Sequence, residues 1–440
     1  MESGKTSPSA NMASLDKTSS VTRWLSNTNG FWFSVYTAGS AFGLYLCVFA
    51  LRKTYNVALY EGYEFAGVGY KVWMVLFQVV GYMLSKFIGI KVVSELKASS
   101  RAKGILLMSL IAASSWLLFA MIPLPYNLIC LFFNGLPLGM VWGMVFGYLE
   151  GRKFTEVLGA SLSVSFIFSA GFSKTVGQYI MTSWHVSEFW MPFAAACVFF
   201  GPLLLFLKML DQVPAPTAED EKLRTKRAPM TGAERVQFTK TFLPGLVLLV
   251  LTYMLLTAFR EFRDNFSSNI WKVLGYGDKP EVFTTTETII TLTLLALIGS
   301  LMIIKNNKKA MIVNHLIVLA GMIMVGIGNF AFEREWIGPI SWMTIVGMGL
   351  YFGYIQFNSI FFDRLIAAFK YVSTVGFLIY LADSFGYVGS VMVMLYKEFG
   401  QKDVSWLEFF IKGGYVMSVA GSILILLSLV YFTRKHALKS

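Results

Sequence analysis

The chain has 440 residues, 56% of them hydrophobic and only 14% charged, with a mean hydropathy of +0.61, whereas a soluble domain is roughly 45–50% apolar and about 25% charged. This balance excludes a water-soluble globular protein and predicts a polytopic membrane protein whose main surroundings are a lipid bilayer. The formal charge of +12 would suggest a nucleic-acid partner in a soluble chain, but the Lys and Arg gather in short loops between apolar runs, where they set topology; nucleic acid is excluded as a partner.

Residues 1–30 read as a polar, Ser- and Thr-rich cytoplasmic tail. At about 20 apolar residues per crossing, six segments follow, over 31–60, 70–92, 103–122, 127–149, 155–182 and 188–210. Residues 211–240, with Pro214, Pro216, an acidic patch at Glu219–Glu221 and a basic run reaching Arg235, read as a solvated cytoplasmic linker. Six more segments span 241–270, 283–304, 310–331, 336–362, 369–396 and 407–433, before a tail at 434–440. The fold class is therefore all-α, with twelve transmembrane helices in two six-helix bundles, 31–210 and 241–433. Basic residues crowd the loops on the side of the linker. That bias places both termini in the cytoplasm and the chain in a cell membrane, plasma membrane or bacterial inner membrane.

Charges inside the apolar runs carry the functional reading. Arg52 and Lys53 close the first segment, where each cation costs about 2.5–3.5 kcal/mol near a helix centre. Helical spacing puts Tyr45, Phe49, Arg52 and Asn56 on one stripe, while Lys53 lies on another face and is expected to snorkel outward. Segment seven carries the matching stripe Tyr253, Thr257, Arg260 and Asp264, with Glu261 and Arg263 beside it. Tyr45 and Tyr253, Ala50 and Ala258, and Arg52 and Arg260 all share an offset of 208. Arg152 precedes Gly177 by the same interval as Arg364 precedes Gly389, a second trace of an internal repeat. Gly135, Gly139, Gly143 and Gly147 recur every fourth residue and suit either close packing or sliding of helices.

Lys174 in segment five, Asp383 in segment eleven, and Tyr351, Tyr354 and Asn358 in segment ten complete the polar set; an aromatic and amide surface suits an organic moiety. The intramembrane cations Arg52, Lys53, Lys174, Arg260 and Arg263 outnumber Glu261, Asp264 and Asp383 by two, which points to an anionic solute. A structural alternative pairs Arg260 with Asp264 and Lys174 with Asp383. Cys47, Cys130 and Cys197 have no metal-site spacing, and His185, His315 and His436 are scattered with no HExxH and no triad, so no metal, cofactor or enzymatic activity is expected.

Over residues 31–433 the chain resembles the major facilitator superfamily, which implies two pseudo-symmetric bundles alternating access to a central cavity, and a monomer. The stretch "YLCVFALRKTYNVA" resembles the first helix of the organophosphate:phosphate antiporter branch. That resemblance implies that Arg52 and Arg260 clamp a substrate phosphate, as paired guanidinium forks do. The branch's helix-five histidine aligns with Phe168 here, beside Ser169. The candidate substrate-binding set is Arg52, Arg260, Tyr45, Tyr253, Asn56, Lys174, Tyr354 and Asn358, with Asp264, Asp383 and Glu261 as coupling or charge-pair residues. The function expected is secondary active transport of a small organic anion, by preference a phosphorylated metabolite exchanged for phosphate; proton-coupled symport of a neutral solute such as a sugar or peptide stays open as the alternative.

Overall fold

The computed structural model describes residues 19–150, 152, 155–216, 232–369 and 375–438. A short helix, α1 (Ser20–Asn27), is capped by the Ser19 hydroxyl and lies against the first long helix, α2 (Gly30–Lys53), whose cap is Asn29. A 3₁₀ turn, Thr54–Val57, and a two-stranded hairpin (β1, Glu64–Phe65; β2, Val68–Gly69) lead to α3 (Tyr70–Glu95). Helices α4 (Arg101–Met121), α5 (Leu128–Leu149), α6 (Thr155–Ser183) and α7 (Met191–Asp211) complete the first half. The second half contains α8 (Gly232–Val273), α9 (Glu281–Leu301), α10 (Asn307–Glu333), α11 (Pro339–Ser359), α12 (Phe361–Ala368), α13 (Val375–Leu395) and α14 (Trp406–Ala437).

Among the described residues ten helices are long and apolar enough to cross a membrane, and the pair α11–α12 makes an eleventh, bent by 52°. With α13, 21 residues long, the twelve predicted positions are filled. Three segments differ from the sequence reading: the first, predicted over 31–60, ends as a helix at Lys53 and continues as a 3₁₀ turn. Helix α8 starts at Gly232, inside the stretch read as linker, because an apolar run marks only the part of a helix that meets lipid. Segment ten breaks at Ile360, with no proline or glycine to announce it. There Asn358 and Ser359 donate to the carbonyls of Tyr354 (3.2 Å) and Ile355 (2.8 Å), back-bonding of the kind that bends helices.

The repeat is visible in packing. Gly177 of α6 abuts Thr54 and Val57 at the end of the first helix, and Gly389 of α13 abuts Met254 of α8. The glycine stripe serves packing within one half. Gly135 and Gly139 of α5 bring its backbone against Gln78, Tyr82 and Ser85 of α3, leaving no room for a Cβ. Gly135→Ala is expected to lower stability by about 1–3 kcal/mol in thermal unfolding of the detergent-solubilised protein. Gly39→Ala, with nothing within 4 Å of the new methyl, should be neutral.

The halves meet along α6 with α9, α3 with α13, α6 with α11, and the 3₁₀ turn with α8. Several contacts between them gather at the end that carries the hairpin. Thr175 and Thr284 hydroxyls are 2.7 Å apart, Gln178 donates to the Gly277 carbonyl (3.3 Å), Lys272 pairs with Glu61 (2.7 Å), and Lys402 donates to the Gly67 carbonyl (3.3 Å). At the opposite end, which carries the termini, Arg152 bonds the Pro214 carbonyl (2.6 Å) and Arg364 bonds Asn307 (3.0 Å), each inside its own half.

Candidate functional site

Helix α2 stops at Lys53, and its last carbonyls need donors. Trp116 and Asn134 donate to the Leu51 carbonyl (2.6 and 3.1 Å) and Gln78 donates to that of Arg52 (2.6 Å). Three side chains from α4, α5 and α3 thus hold the end of α2 in place, and with it Arg52. Asn134 therefore serves as a helix tie.

Arg52 is 6% exposed and lays its guanidinium on the Tyr82 ring, 3.5 Å from the centroid. Its Nε and Nη2 form no hydrogen bond within the protein. These two groups make up the side-on edge of the fork, the geometry that receives a carboxylate or phosphate with two parallel bonds. Arg260 stacks 4.1 Å from the centroid of Tyr354, and its Nη2 donates to Glu261 Oε1 (2.7 Å) while its Nε is unpartnered. Glu261 and Tyr387 are electrostatic neighbours of both guanidiniums. The structure thus brings the two predicted arginines to one buried layer between the halves.

Lys53 corrects the sequence reading. It does not snorkel: it is 1% exposed and bonds Glu261 (3.0 Å) and Asn265 (2.5 Å), with Asp264 3.4 Å away. The helix ends there, and the partners that hold the ammonium lie on α8 in the other half. Lys53 and Glu261 are themselves 208 residues apart, so equivalent positions of the repeat touch each other across the pseudo-twofold axis.

The alternative pairings are also replaced. Lys174 bonds Asp264 (2.6 Å) rather than Asp383, and Arg260 bonds Glu261 rather than Asp264. Asp383 accepts from the Tyr253 hydroxyl and has Lys86 at 3.7 Å; Asn358 donates to Tyr253 (3.0 Å), whose ring stacks on Tyr354. Asn56 donates to Asn265 (2.9 Å) from the 3₁₀ turn, not from the predicted helical stripe. Tyr45 is buried and neighbours Arg52, Tyr82 and Tyr354 electrostatically. Phe168 stacks on Phe172, and Ser169 bonds the Ser165 carbonyl, so that part of α6 is apolar packing. Cys47 and Cys130 are buried, whereas Cys197 faces outward. Among the described residues no cluster could hold a metal ion. A cavity of about 350 Å³ lies between the halves toward the hairpin end, lined by Leu59, Gln178, Glu188, Ser268, Lys272 and Asp278, apart from the predicted set.

A family model described as "Family of unknown function (DUF5690)" matches residues 54–435. The chain belongs to the DUF5690 family. No curated protein matches its sequence. Among solved structures, a D-xylose-proton symporter is similar at 15% identity and a TM-score of 0.57, over 91% of this chain and 97% of the symporter. A mutant of the peptide transporter POT, in complex with sulfate, is similar at 11% identity and a TM-score of 0.60, over 92% of this chain and 94% of that one. The DUF5690 chain therefore has the all-α, polytopic major facilitator fold.

Sequence reasoning missed several members of this DUF5690 layer. Lys71 donates to the Asn56 carbonyl (2.8 Å) and Asn269 (2.9 Å), Lys86 lies 3.7 Å from Asp383, and Glu287 accepts from Arg263 (2.6 Å), a cation the sequence did mark and which also bonds the Met343 carbonyl (3.1 Å). Lys86 and Glu287 stand inside apolar runs, the same signal that marked Arg52. Lys71 begins a segment, where a lysine reads as a topology mark. With these included, and counting Glu188 as a neighbour of Lys71, seven cations meet five carboxylates in the layer among the described residues, so the positive excess persists.

Proposed function

We propose that the chain is a secondary transporter of a small organic anion, by preference a phosphorylated metabolite exchanged for phosphate, working by rocking of residues 31–210 against 241–433. The observation that carries this reading is Arg52. Its guanidinium is buried where the halves meet, with the whole side-on edge of its fork unpartnered, and a desolvated cation held this way favours an anion. The excess of cations over carboxylates supports it, as do Tyr45 beside Arg52 and Tyr354 against Arg260, with Tyr253 stacked on Tyr354; Asn56 and Lys174 hold the layer together, and Asn358 orients Tyr253. With the termini in the cytoplasm, the hairpin end is the outer face, and the contacts described there close the path on that side. The chain works as a monomer in a cell membrane.

A second reading, proton-coupled symport of a neutral solute, is favoured by one observation: Asp383 sits in the same layer, held by Tyr253 and near Lys86, where a carboxylate can carry a proton. Thermal stabilisation of the purified protein by inorganic phosphate, glycerol phosphate, hexose phosphates, carboxylates and neutral sugars separates the two. A phosphate compound is expected to stabilise by about 2.7 kcal/mol at a hundredfold excess over its Kd, and Arg52→Ala and Arg260→Ala to lose the response. Stabilisation by sugars alone, or unchanged responses in both variants, would give the lead to symport.

A further inference from the structure

We infer that Glu261 is a tethered competitor of the transported anion, an internal carboxylate that occupies half of one arginine fork until the solute displaces it; this rests on the anion-transport reading. The two forks of the layer are not in the same condition. Arg52 has both groups of its side-on edge, Nε and Nη2, without an acceptor. Arg260 has the equivalent edge half taken: Glu261 Oε1 accepts from Nη2 at 2.7 Å, and Nε has no partner. An anion can therefore engage Arg52 with two bonds at once but reaches a two-bond contact with Arg260 only by removing Glu261 from Nη2.

Glu261 has somewhere to go. Its second oxygen already accepts from Lys53 at 3.0 Å, so release from Arg260 leaves the carboxylate paired and not stranded in a buried site. Arg260 itself is kept in place by stacking on Tyr354 at 4.1 Å, with Phe166 beyond at 5.8 Å, so the exchange of one carboxylate for one solute oxygen needs no movement of the guanidinium. The residue sets a threshold: a solute that offers Arg260 one weak acceptor gains nothing over Glu261, whereas a solute with two anionic oxygens gains both Nη2 and Nε. Glu261 thereby selects for oxyanions that can fork, phosphates and phosphate monoesters above single-acceptor solutes.

The test titrates folded, detergent-purified protein with inorganic phosphate, glycerol phosphate and sulfate at fixed ionic strength, reading Kd by calorimetry or thermal shift. Glu261→Gln removes the charge and keeps the shape. It is expected to bind phosphate about tenfold or more tightly, the scale of one charge-assisted hydrogen bond no longer contested. That gain should vanish when Arg260→Ala is added, because the competition is for Arg260. Should Glu261→Gln fail to fold, Glu261→Asp keeps the charge but draws it back by one methylene and should still tighten binding. Equal or weaker affinity in a folded variant, with Arg52→Ala still abolishing binding, would overturn the competitor role and leave the anion site standing. No binding of any of the three anions to parent or variant would remove both.

Discussion

A Thr175→Cys/Thr284→Cys protein, oxidised in vesicles on a background with Cys47, Cys130 and Cys197 replaced, is expected, under the exchange function proposed above, to lose essentially all solute exchange and to regain it on reduction. The two hydroxyls stand 2.7 Å apart, one on α6 and one on α9, so cysteines at the two positions face each other across the seam. Thr175 also donates to the Pro280 carbonyl at 2.7 Å, and Gly171, one turn earlier, lets α6 touch the backbone of Phe283. This is the tightest seam between the halves. If the chain works as proposed and opens its hairpin end by parting α6 from α9, a covalent bond there arrests the cycle in the closed form. Full exchange by a cross-linked protein, with cross-linking verified by mass spectrometry, would mean that the halves do not separate at this seam.

Asp264→Ala is expected to be among the most destabilising single substitutions in the chain, by about 3–5 kcal/mol, the scale of a buried ion pair broken on one side. Asp264 is 4% exposed, bonds Lys174 at 2.6 Å and lies 3.4 Å from Lys53. Its removal leaves Lys174 with the backbone carbonyl at position 264 as its remaining acceptor (2.6 Å) and adds one more uncompensated positive charge to the layer. Thermal unfolding in detergent measures the loss. Adding Lys174→Met should restore most of it, because the cost lies in the stranded ammonium and not in the missing carboxylate. A double variant as unstable as the single one would place the role of Asp264 in its helix instead.

The helices were legible because lipid demands long apolar runs, and the arginines because a charge inside such a run is expensive and because the same spacing recurs 208 residues later. Lys53 was misread for a physical reason: periodicity assigns a face only while the helix lasts, and α2 ends at that residue. Its partners, Glu261 and Asn265, come from a helix no local pattern connects to it. The bend at Ile360 escaped because it is made by side-chain hydroxyl and amide bonds to the last turn and not by proline or glycine. Lys71 escaped because a single charge at a segment's start resembles a boundary, whereas Lys86 and Glu287 carried the same signal as Arg52 inside their apolar runs.

The contact between Lys53 and Glu261 says something about the origin of the site. Positions related by a twofold axis and lying on it meet their own counterparts. In a chain built from two identical halves, this spot would set lysine against lysine or glutamate against glutamate in a dry interior, and either arrangement repels. Arg52 and Arg260 are the same residue at matching positions of the two halves, whereas their immediate successors carry opposite charges. Attraction at this spot therefore requires that the two halves differ there, and the asymmetry that ties them together is also what gives the molecule one fork already half filled and one left open.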